Sequence, residues 1–567
     1  MLIYFNKFSI RRCFFSVFVI HVFFLTSINL NAQYRFIPAH SEMEDRLIGS
    51  ALSKFESFRQ NRQSPEFLEA LSLAEGLDTG FNARHFSFFT WSNPEYTGYR
   101  KTRFMKTLGM KRLLGDCGLT HPNRFYTWKN EKHGDYFVIN PLIDGAFGPQ
   151  KLGLKGVMLN GRGAEVMAQM GNDVAIYSRV LDYQTVLPAD AELYRNNRGQ
   201  IPGVGFHTSN FLGYTDYFFA TGYMDVKVLE RRDSLKKLRY NIRATMGYDQ
   251  QHIGVGYRSL ILSNTAPPSL FFQVLYKLGP FRYQNLFKEL MRDGSVDASL
   301  AYNKKYLAMH RGILVFEKLR LELGFSESII QTRPYNRLDW SYVNPIIFYR
   351  AVERDLGSPD NALIAFDCKW QHGRWMTYGQ LVLDEFHVSK AFTEPQSTAN
   401  KFGQQMGLYY SFGTKKWNSA YLNLEYNRVR PHTYSHYTSN HYTHWRQSLA
   451  HPLESNFREL SLRGFMVPRV WPRWSFRFLV LLAWKGYNSR YENFGGDILE
   501  NYQTATGNGS SLMLAGLFQR RFLGELDFGY VLQPGMSLRL RLYRFGSDGY
   551  QAVGSSSVSL GLRWNFQ

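Results

Sequence analysis

The final strand-like segment, residues 557–566, constrains the fold of this chain more than any other feature. Every even position from 558 to 566 is apolar, whereas the odd positions carry small or polar side chains. Alternation of this kind places apolar groups on one face of a strand and polar groups on the other. We expect this strand to close a transmembrane β-barrel, with lipid on its apolar face. A half-buried strand of a soluble sandwich is the alternative interpretation.

The beginning of the chain predicts export. Three basic residues, Lys7, Arg11 and Arg12, precede an apolar run over residues 13–25, and the small residue Ala32 follows a short polar stretch. This order is typical of a secretory signal peptide that is cleaved. We therefore interpret residues 1–32 as a signal peptide, and the mature chain as a protein of the Gram-negative outer membrane.

The next hundred residues have helical rather than strand periodicity. Ser41 and Glu44 form a capping box ahead of an apolar helical face. Ser64 and Pro65 provide a second helix start, because proline at the first helical position loses no hydrogen bond. A basic stretch follows at residues 99–114. Residues 33–130 are accordingly predicted to form a mainly helical region on the periplasmic side of the barrel.

From residue 131 onward the hydrophobic period is two. Segments with an apolar residue at every second position occur at 319–325, 362–370, 406–412, 420–426, 474–484, 512–518, 526–532 and 538–542. The segment 474–484 begins and ends with tryptophan, as expected for a tilted strand with aromatic rings at both membrane interfaces. At roughly 24 residues per strand and connection, residues 131–567 predict an all-β, transmembrane antiparallel β-barrel of about 18 strands.

Composition supports this interpretation. Aromatic residues make up 16% of the chain, as two interfacial girdles would require. Beyond Leu25 there is no apolar stretch of about 18 residues, so the membrane signal lies in alternation and not in a helix. Two cysteines remain after signal removal, Cys117 and Cys368; they could pair after export, but we favour two free thiols.

The charge of the chain indicates an anionic partner. The net charge is +21, and the signal peptide contributes 3 of these charges, which leaves +18 for the mature protein. Outside the cytoplasm the abundant polyanions are acidic polysaccharide and lipid phosphate, so we expect outer-membrane lipid and surface polysaccharide as partners, with other cell-envelope proteins possible, and no nucleic acid. Solvation of the barrel lumen and rims by charged residues is the alternative.

One loop, predicted over residues 428–463, combines rings with hydrogen-bond donors. The predicted polysaccharide-binding residues in it are Tyr434, His436, Tyr437, His441, Tyr442, His444, Trp445 and Arg446. Aromatic faces can stack on sugars, while imidazole and guanidinium groups can donate to hydroxyl and carboxylate groups. Two alternatives remain open, a transition-metal site and a loop that folds into the lumen as a plug. The histidine spacings fit no common metal pattern, so no metal or other cofactor is predicted.

The sequence does not indicate an enzyme. It contains neither a Gly-x-Ser-x-Gly elbow nor an HExxH motif. Catalytic groups of a barrel enzyme would be scattered over many strands, so an outer-membrane lipase or protease stays an alternative.

Two sequence blocks resemble a known family. The first comprises Asn344–Arg350 (NPIIFYR), Glu353, Leu356–Leu363 (LGSPDNAL) and Tyr378–Phe386 (YGQLVLDEF). It resembles the Wzi family of capsule-assembly outer-membrane barrels. The second comprises Tyr442–Trp445 (YTHW), Gln447–Leu453 (QSLAHPL) and Asn456–Glu459 (NFRE). It is similar to the branch of that family that contains the gliding-motility protein RemB.

The resemblance implies an eighteen-stranded barrel with a periplasmic helical bundle that holds capsular polysaccharide at the outer face and carries out no chemistry. The RemB branch implies a surface component of gliding or adhesion instead. From the residues alone, the Gly357–Asn361 segment is turn chemistry, and Asp384 and Glu385 are candidates for lumenal ion pairs. A passive channel is the third functional alternative.

Overall fold

The computed structural model describes residues 126–564, apart from 131–132, 134, 152–155, 172, 210–212, 233–237, 293–302, 334–336, 347, 386–387, 395, 413–416, 472, 508–510 and 534–535. The predicted signal peptide (residues 1–32), residues 33–125 of the predicted helical region and Cys117 lie outside the described residues. Residues Tyr126–Asn130 form a short strand that pairs with the beginning of the barrel.

Eighteen long strands form the barrel wall. They are β1 (Asp135–Gly148), β2 (Val157–Met170), β3 (Val174–Thr185), β4 (Thr215–Arg232), β5 (Leu238–Asp249), β6 (Ser269–Leu278), β7 (Phe281–Met291), β8 (Lys304–Phe316), β9 (Leu321–Gln331), β10 (Asn361–His372), β11 (Trp375–Glu385), β12 (Lys401–Ser411), β13 (Trp417–Val429), β14 (Phe457–Pro468), β15 (Trp474–Tyr487), β16 (Leu517–Gln533), β17 (Met536–Gly549) and β18 (Gly554–Trp564). Each pairs antiparallel with the next along the chain.

The sheet closes on itself. The last strand, β18, pairs with β1 through Ile143 opposite Trp564 and Phe147 opposite Leu560. The all-β class, the antiparallel barrel, the count of 18 strands and the closing role of the C-terminal segment are thus confirmed. The predicted strand over 512–518 was wrong at its start, because β16 begins only at Leu517.

Shorter elements lie between the barrel strands. They are the strands Gln150–Lys151, Thr208–Ser209, Thr443–His444 and Gln447–Ser448, the helices α1 (Ala189–Arg198), α2 (Tyr349–Leu356) and α3 (Val388–Thr393), and the 3-10 turns Trp340–Val343 and Tyr502–Thr504. No helix in the described part of the chain has both the length and the apolar character needed to span a membrane.

The two ends of the barrel differ. Connections on the end where β1 begins and β18 ends are short, for example residues 279–280 and 373–374. Connections on the opposite end include six long loops, at residues 186–214, 250–268, 332–360, 386–400, 430–456 and 488–516. Short turns at one end and long loops at the other are the usual asymmetry of outer-membrane barrels. We call these the turn end and the loop end.

The wall has an apolar exterior and a polar interior. Exposed outward-facing residues include Phe147, Met246, Phe272, Leu314, Leu323, Phe366, Met406, Leu424, Leu540, Val558 and Leu560. Inside, arginine and carboxylate side chains pair across strands, as in Arg539–Asp527 at 2.7 Å and Arg563–Asp144 at 3.0 Å. At the turn end, aromatic rings pair along the rim; the ring centroids of Trp375 and Tyr410, for example, are 4.4 Å apart. Cys368 is an exposed free thiol on the outward phase of β10.

Candidate functional site

Two of the long loops enter the barrel from the loop end. We call residues 250–268 the first plug loop and residues 430–456 the second plug loop. Almost all of their residues are buried. The structure describes every residue of the second plug loop, and among them only Tyr437 is exposed. They attach to inward-facing wall residues; for example, Gln380 of β11 accepts the Leu260 N–H at 2.8 Å. The loops therefore fill the upper lumen with polypeptide.

A buried carboxylate holds the first plug loop. Glu425 of β13 accepts the backbone N–H groups of Tyr257 (2.7 Å) and Arg258 (3.1 Å) and the hydroxyl of Tyr378 (2.7 Å). A Cβ on Gly256 would lie 2.6 Å from the Glu425 carboxylate, so only glycine allows this approach. Charge-assisted bonds to backbone N–H groups are stronger than neutral ones, so Glu425 contributes strongly to holding this loop, together with Gln380, Gln405 and Tyr409 of the wall.

Three buried lysines from the wall hold the second plug loop and its neighbours. Lys485 Nζ donates to the carbonyls of Leu453 (2.7 Å), Ser455 (3.0 Å) and Gly496 (2.7 Å). Lys305 Nζ donates to the His441 carbonyl at 2.9 Å, and Lys401 Nζ lies 3.4 Å from the Ser435 carbonyl and 3.2 Å from Glu385. An ammonium group has three donors and no acceptor, so a wall lysine can donate hydrogen bonds to several carbonyls of a loop that are not paired within a helix or sheet.

The two plug loops pack on each other through tyrosines. The Tyr434 hydroxyl donates to the Leu260 carbonyl at 2.7 Å, and the Tyr442 hydroxyl donates to the Ile261 carbonyl at 2.8 Å. Their rings stack with centroids 5.8 Å apart and are fully buried. The faces of these two predicted sugar-stacking residues are thus occupied by the protein itself.

The histidines of the second plug loop are also internal. His441 Nδ1 accepts the His436 N–H at 3.0 Å, and His444 Nδ1 accepts the Met291 N–H at 2.9 Å. Burial lowers the pKa of His436 to about 3, of His444 to about 3 and of His432 to about 4. These imidazoles are neutral at physiological pH, and those of His436 and His444 accept backbone N–H groups within the plug, whereas neither ring nitrogen of His432 has a hydrogen-bond partner in the described part of the chain.

Of the eight predicted binding residues, three reach the outside: Tyr437, Trp445 and Arg446. Tyr437 is 41% exposed, and Trp445 and Arg446 are half-buried. The structure therefore separates the predicted set into Tyr434, His436, His441, Tyr442 and His444, which lie inside the plug, and these three at its surface. Among the residues that the structure describes, no group of three or more His, Cys, Asp or Glu side chains could hold a metal ion.

Trp445 and Arg446 occupy a strained turn. They connect the strands Thr443–His444 and Gln447–Ser448, and their φ angles are 53° and 60°. Two-residue hairpins with both central φ angles positive normally contain asparagine and glycine. A bulky residue in this region costs on the order of 1 kcal/mol or more, and such outliers cluster at functional sites. Two long side chains at the centre of a hairpin are unusual and indicate a special role. The alternation of apolar residues in the sequence does not show that Trp445 and Arg446 occupy such a turn.

Trp445 lies in a cleft of about 380 Å³ at the loop end. Residues 217–221 of β4 pair with β3 on one side only, because pairing with β5 starts at Gly222. Pro267 and Pro268, which have no N–H to donate, border the opening. The aromatic and acidic residues of the cleft are Trp445, Phe206, Tyr217, Phe218, Phe219, Tyr248, Asp182 and Asp216.

The chemistry of the cleft suits a hydroxyl-rich ligand. Its rings offer apolar faces, and its carboxylates can accept hydrogen bonds from hydroxyl groups. Arg446 Nε is buried with no hydrogen-bond partner in the described part of the chain. Arg446 is not among the residues that line the cleft, but it directly follows Trp445 in the turn, and a guanidinium group can bind the carboxylate of an acidic sugar.

Ion pairs connect the remaining loops to the plug. Arg198 of α1 binds Asp497 at 2.7 Å and also Glu454 of the second plug loop. Burial by itself would lower the pKa of Arg198, but the neighbouring carboxylates of Asp497 and Glu454 raise this pKa above its ordinary value. The loops at 186–214 and 488–516 are thereby joined to the second plug loop, so the loop end is one interlocked surface.

No protein-family model matches the chain, and no curated protein matches it in sequence. Solved structures with similar folds include Wzi, an outer-membrane protein involved in group 1 capsule assembly in Escherichia coli and a carbohydrate-binding β-barrel. It is 13% identical, with a TM-score of 0.49, over 95% of this chain and 100% of Wzi. OccD3 (OpdP) of Pseudomonas aeruginosa is 11% identical, with a TM-score of 0.41, over 80% of this chain and 96% of OccD3. OccAB2 of Acinetobacter baumannii is 10% identical, with a TM-score of 0.40, over 76% and 97%.

Proposed function

We propose that this chain is an outer-membrane barrel that retains acidic polysaccharide at the cell surface and is not an enzyme. The observation that carries the proposal is the lumen filled by the two plug loops, of which the second holds the half-buried Trp445 and Arg446 in a strained turn at the loop end. A filled lumen opposes passage of solutes, and a partly exposed ring and guanidinium group favour binding. The apolar exterior and the asymmetric ends support a place in the outer membrane.

Deletion of the gene tests the role in the cell. We expect the deletion strain to make surface polymer of normal length but to shed it into the medium, as seen by imaging of the capsule layer. Normal polymer retention together with loss of surface spreading would favour the gliding or adhesion role instead. Steady ion conductance of the purified barrel at neutral pH would favour a channel.

The double variant Trp445→Asn/Arg446→Gly tests the site. Asparagine and glycine suit the turn, so we expect the free energy of unfolding to rise by about 1 kcal/mol. Loss of the ring and the guanidinium group should weaken binding of purified acidic polysaccharide roughly 30-fold, as removal of a binding hot spot of about 2 kcal/mol does. Calorimetric titration measures the affinity.

Trp471→Ala is the matched control, because Trp471 is an exposed tryptophan in a connection at the turn end. It should leave the affinity unchanged. Equal affinities of the wild type and the double variant would contradict the proposed site.

A further inference from the structure

One long loop does not enter the lumen but folds over the outside of the barrel. We call residues 337–346 and 348–357 of this loop the strap; they include the 3-10 turn Trp340–Val343 and α2. Tyr342 and Tyr349 of the strap are fully buried against Ala308, Ile329 and Ala362 of the wall. These three wall residues belong to the outward phase of β8, β9 and β10, since their neighbours Leu307, Ile330 and Leu363 pack on the plug inside.

The strap covers a row of polar residues on the outer wall. Asn285, His310 and Glu327 lie opposite one another on β7, β8 and β9. They point outward, because Leu286 next to Asn285 and Met309 next to His310 are part of the core inside. A polar row on the lipid face of a barrel is costly unless its groups are hydrogen-bonded.

The strap supplies hydrogen bonds to Glu327 of this row, whereas the Asn285 amide and His310 Nδ1 are buried beneath it without a hydrogen-bond partner in the described part of the chain. Glu327 accepts the N–H groups of Tyr349 and Arg350, both at 2.8 Å, at the start of α2, and lies 3.1 Å from His310 Nε2. The rings of His310 and Tyr349 stack 4.1 Å apart and nearly parallel. The start of α2 is thus fixed to the outside of the wall by a specific carboxylate.

The height of this contact places it within the apolar band. Glu327 is six residues from Leu321, at the turn end of β9, which corresponds to about 14 Å along the barrel axis for a strand tilted by about 45°. The apolar band of an outer-membrane barrel is about 25 Å tall. The contact between Glu327 and the start of α2 therefore lies in the half of the apolar band nearer the loop end, close to the exposed lipid-facing residues Leu323 and Phe366.

The outer surface of the strap exposes large apolar side chains beside the polar and charged residues Ser341, Asn344, Arg350, Arg354 and Asp355. Trp340 is 76% exposed, Ile346 84% and Phe348 61%. Phe348 also contacts Phe325 of the wall, with ring centroids 6.3 Å apart, so the exposed surface of the strap continues the outward apolar surface of the barrel.

We propose that the strap is embedded in the outer leaflet, with Trp340, Ile346 and Phe348 among the acyl chains of the lipid. The charges of the strap do not select a headgroup, since its arginines are balanced by acidic residues. The continuity with the apolar band and the covered polar row argue for acyl chains. At its C-terminal end the strap leads to Pro359, whose carbonyl accepts a hydrogen bond from Asn440 of the second plug loop at 2.9 Å, so an element in the lipid contacts the plug.

Single cysteines labelled with an environment-sensitive fluorophore test this inference. In a Cys117→Ser background, Phe348→Cys combined with Cys368→Ser carries the label on the strap. Native Cys368 is the lipid reference, since it is exposed on the outward face of β10. Tyr491→Cys with Cys368→Ser is the water reference, because Tyr491 is 86% exposed in a loop at the loop end. The full chain is reconstituted in phosphatidylcholine vesicles with and without brominated acyl chains.

We expect the Phe348→Cys label to lose fluorescence in brominated lipid as strongly as the Cys368 label, while the Tyr491→Cys label is unaffected. In addition, Glu327→Ala should reduce quenching at position 348 and leave quenching at position 368 unchanged. A water-like label at position 348 beside a quenched label at 368 would overturn the inference. So would an emission at 348 that changes with the protein-to-lipid ratio, which would indicate a second copy as the partner. Failure of the label at 368 to be quenched would instead contradict the membrane barrel.

Discussion

Lowering the pH from neutral to about 4.5 is expected to turn the closed barrel into a conducting one. Three of the five buried histidines of the second plug loop, His432, His436 and His444, have pKa values that burial lowers to about 4, 3 and 3. In a loop released into water their pKa would return to about 6.5. Between pH 6.5 and about 3, these histidines bind protons in the released loop but remain neutral in the docked loop. Docking of the loop therefore weakens as the pH falls.

The size of the effect decides whether the plug can open. For each histidine the released loop gains about 2 kcal/mol by pH 5, so three give on the order of 6 kcal/mol, comparable to the free energy of local opening in many proteins. Neighbouring lysines also lower these pKa values, since Lys401 lies near His432 and His436, and Lys288 and Lys305 lie near His444; of the neighbouring charges only Asp360, near His436, acts in the opposite direction. A lysine cannot stabilise an adjacent imidazolium, because both groups are positively charged. The second plug loop therefore has its full free energy of docking only above pH 6.5.

Planar-bilayer conductance between pH 7.5 and 4.5 measures this opening. The triple variant with glutamine at positions 432, 436 and 444 should stay closed throughout, because glutamine does not titrate and its carbonyl oxygen can accept the hydrogen bonds. His372→Gln, at an exposed histidine near the turn end, is the matched control and should open like the wild type. A wild-type barrel that remains closed at pH 4.5 would show that the histidines do not control docking.

The wall could be predicted from the sequence because its determinants are local. Alternation at 362–370 and 474–484 reports which face of each strand is apolar, and the structure places those residues in β10 and β15. The closing strand was predictable for the same reason. The start of the predicted strand at Leu512 was wrong, because apolar residues at every second position also occur in a loop that packs on its neighbours.

The plug was one of the alternatives that the sequence left open for residues 428–463, and the strap was not predicted, because the determinants of both are contacts between distant residues. Glu425 and Tyr257 are far apart in the chain, and nothing near either residue indicates that they meet. Tyr434 and Tyr442 have the residue types of a sugar site, yet the same rings and hydroxyls serve equally well to join two loops. The segment Gly357–Asn361 was interpreted as turn chemistry, but nothing in the sequence around Tyr349 indicated a helix start that Glu327 fixes to the outer wall.

Replacing Glu425 with alanine is expected to release the first plug loop and to destabilise the barrel by about 3–5 kcal/mol. The substitution leaves the N–H groups of Tyr257 and Arg258 and the hydroxyl of Tyr378 without their acceptor in a buried site. It also removes the acceptor of the Asn427 amide at 2.9 Å. Two readouts should change together, a lower denaturant midpoint of unfolding in detergent and a steady conductance at neutral pH.

Two further variants separate the fastening of the loop from general loss of charge. Glu425→Gln keeps an oxygen for the backbone N–H groups, so we expect a smaller loss of stability and a closed barrel. Asp548→Ala removes a carboxylate from the more exposed pair that it forms with Arg520 at 2.8 Å, and should cost no more than about 1 kcal/mol. If Glu425→Ala lowers the stability no more than Asp548→Ala does, the carboxylate is not what holds the loop. If Glu425→Ala unfolds easily but never conducts, the second plug loop alone suffices to close the lumen, and the two loops are fastened independently.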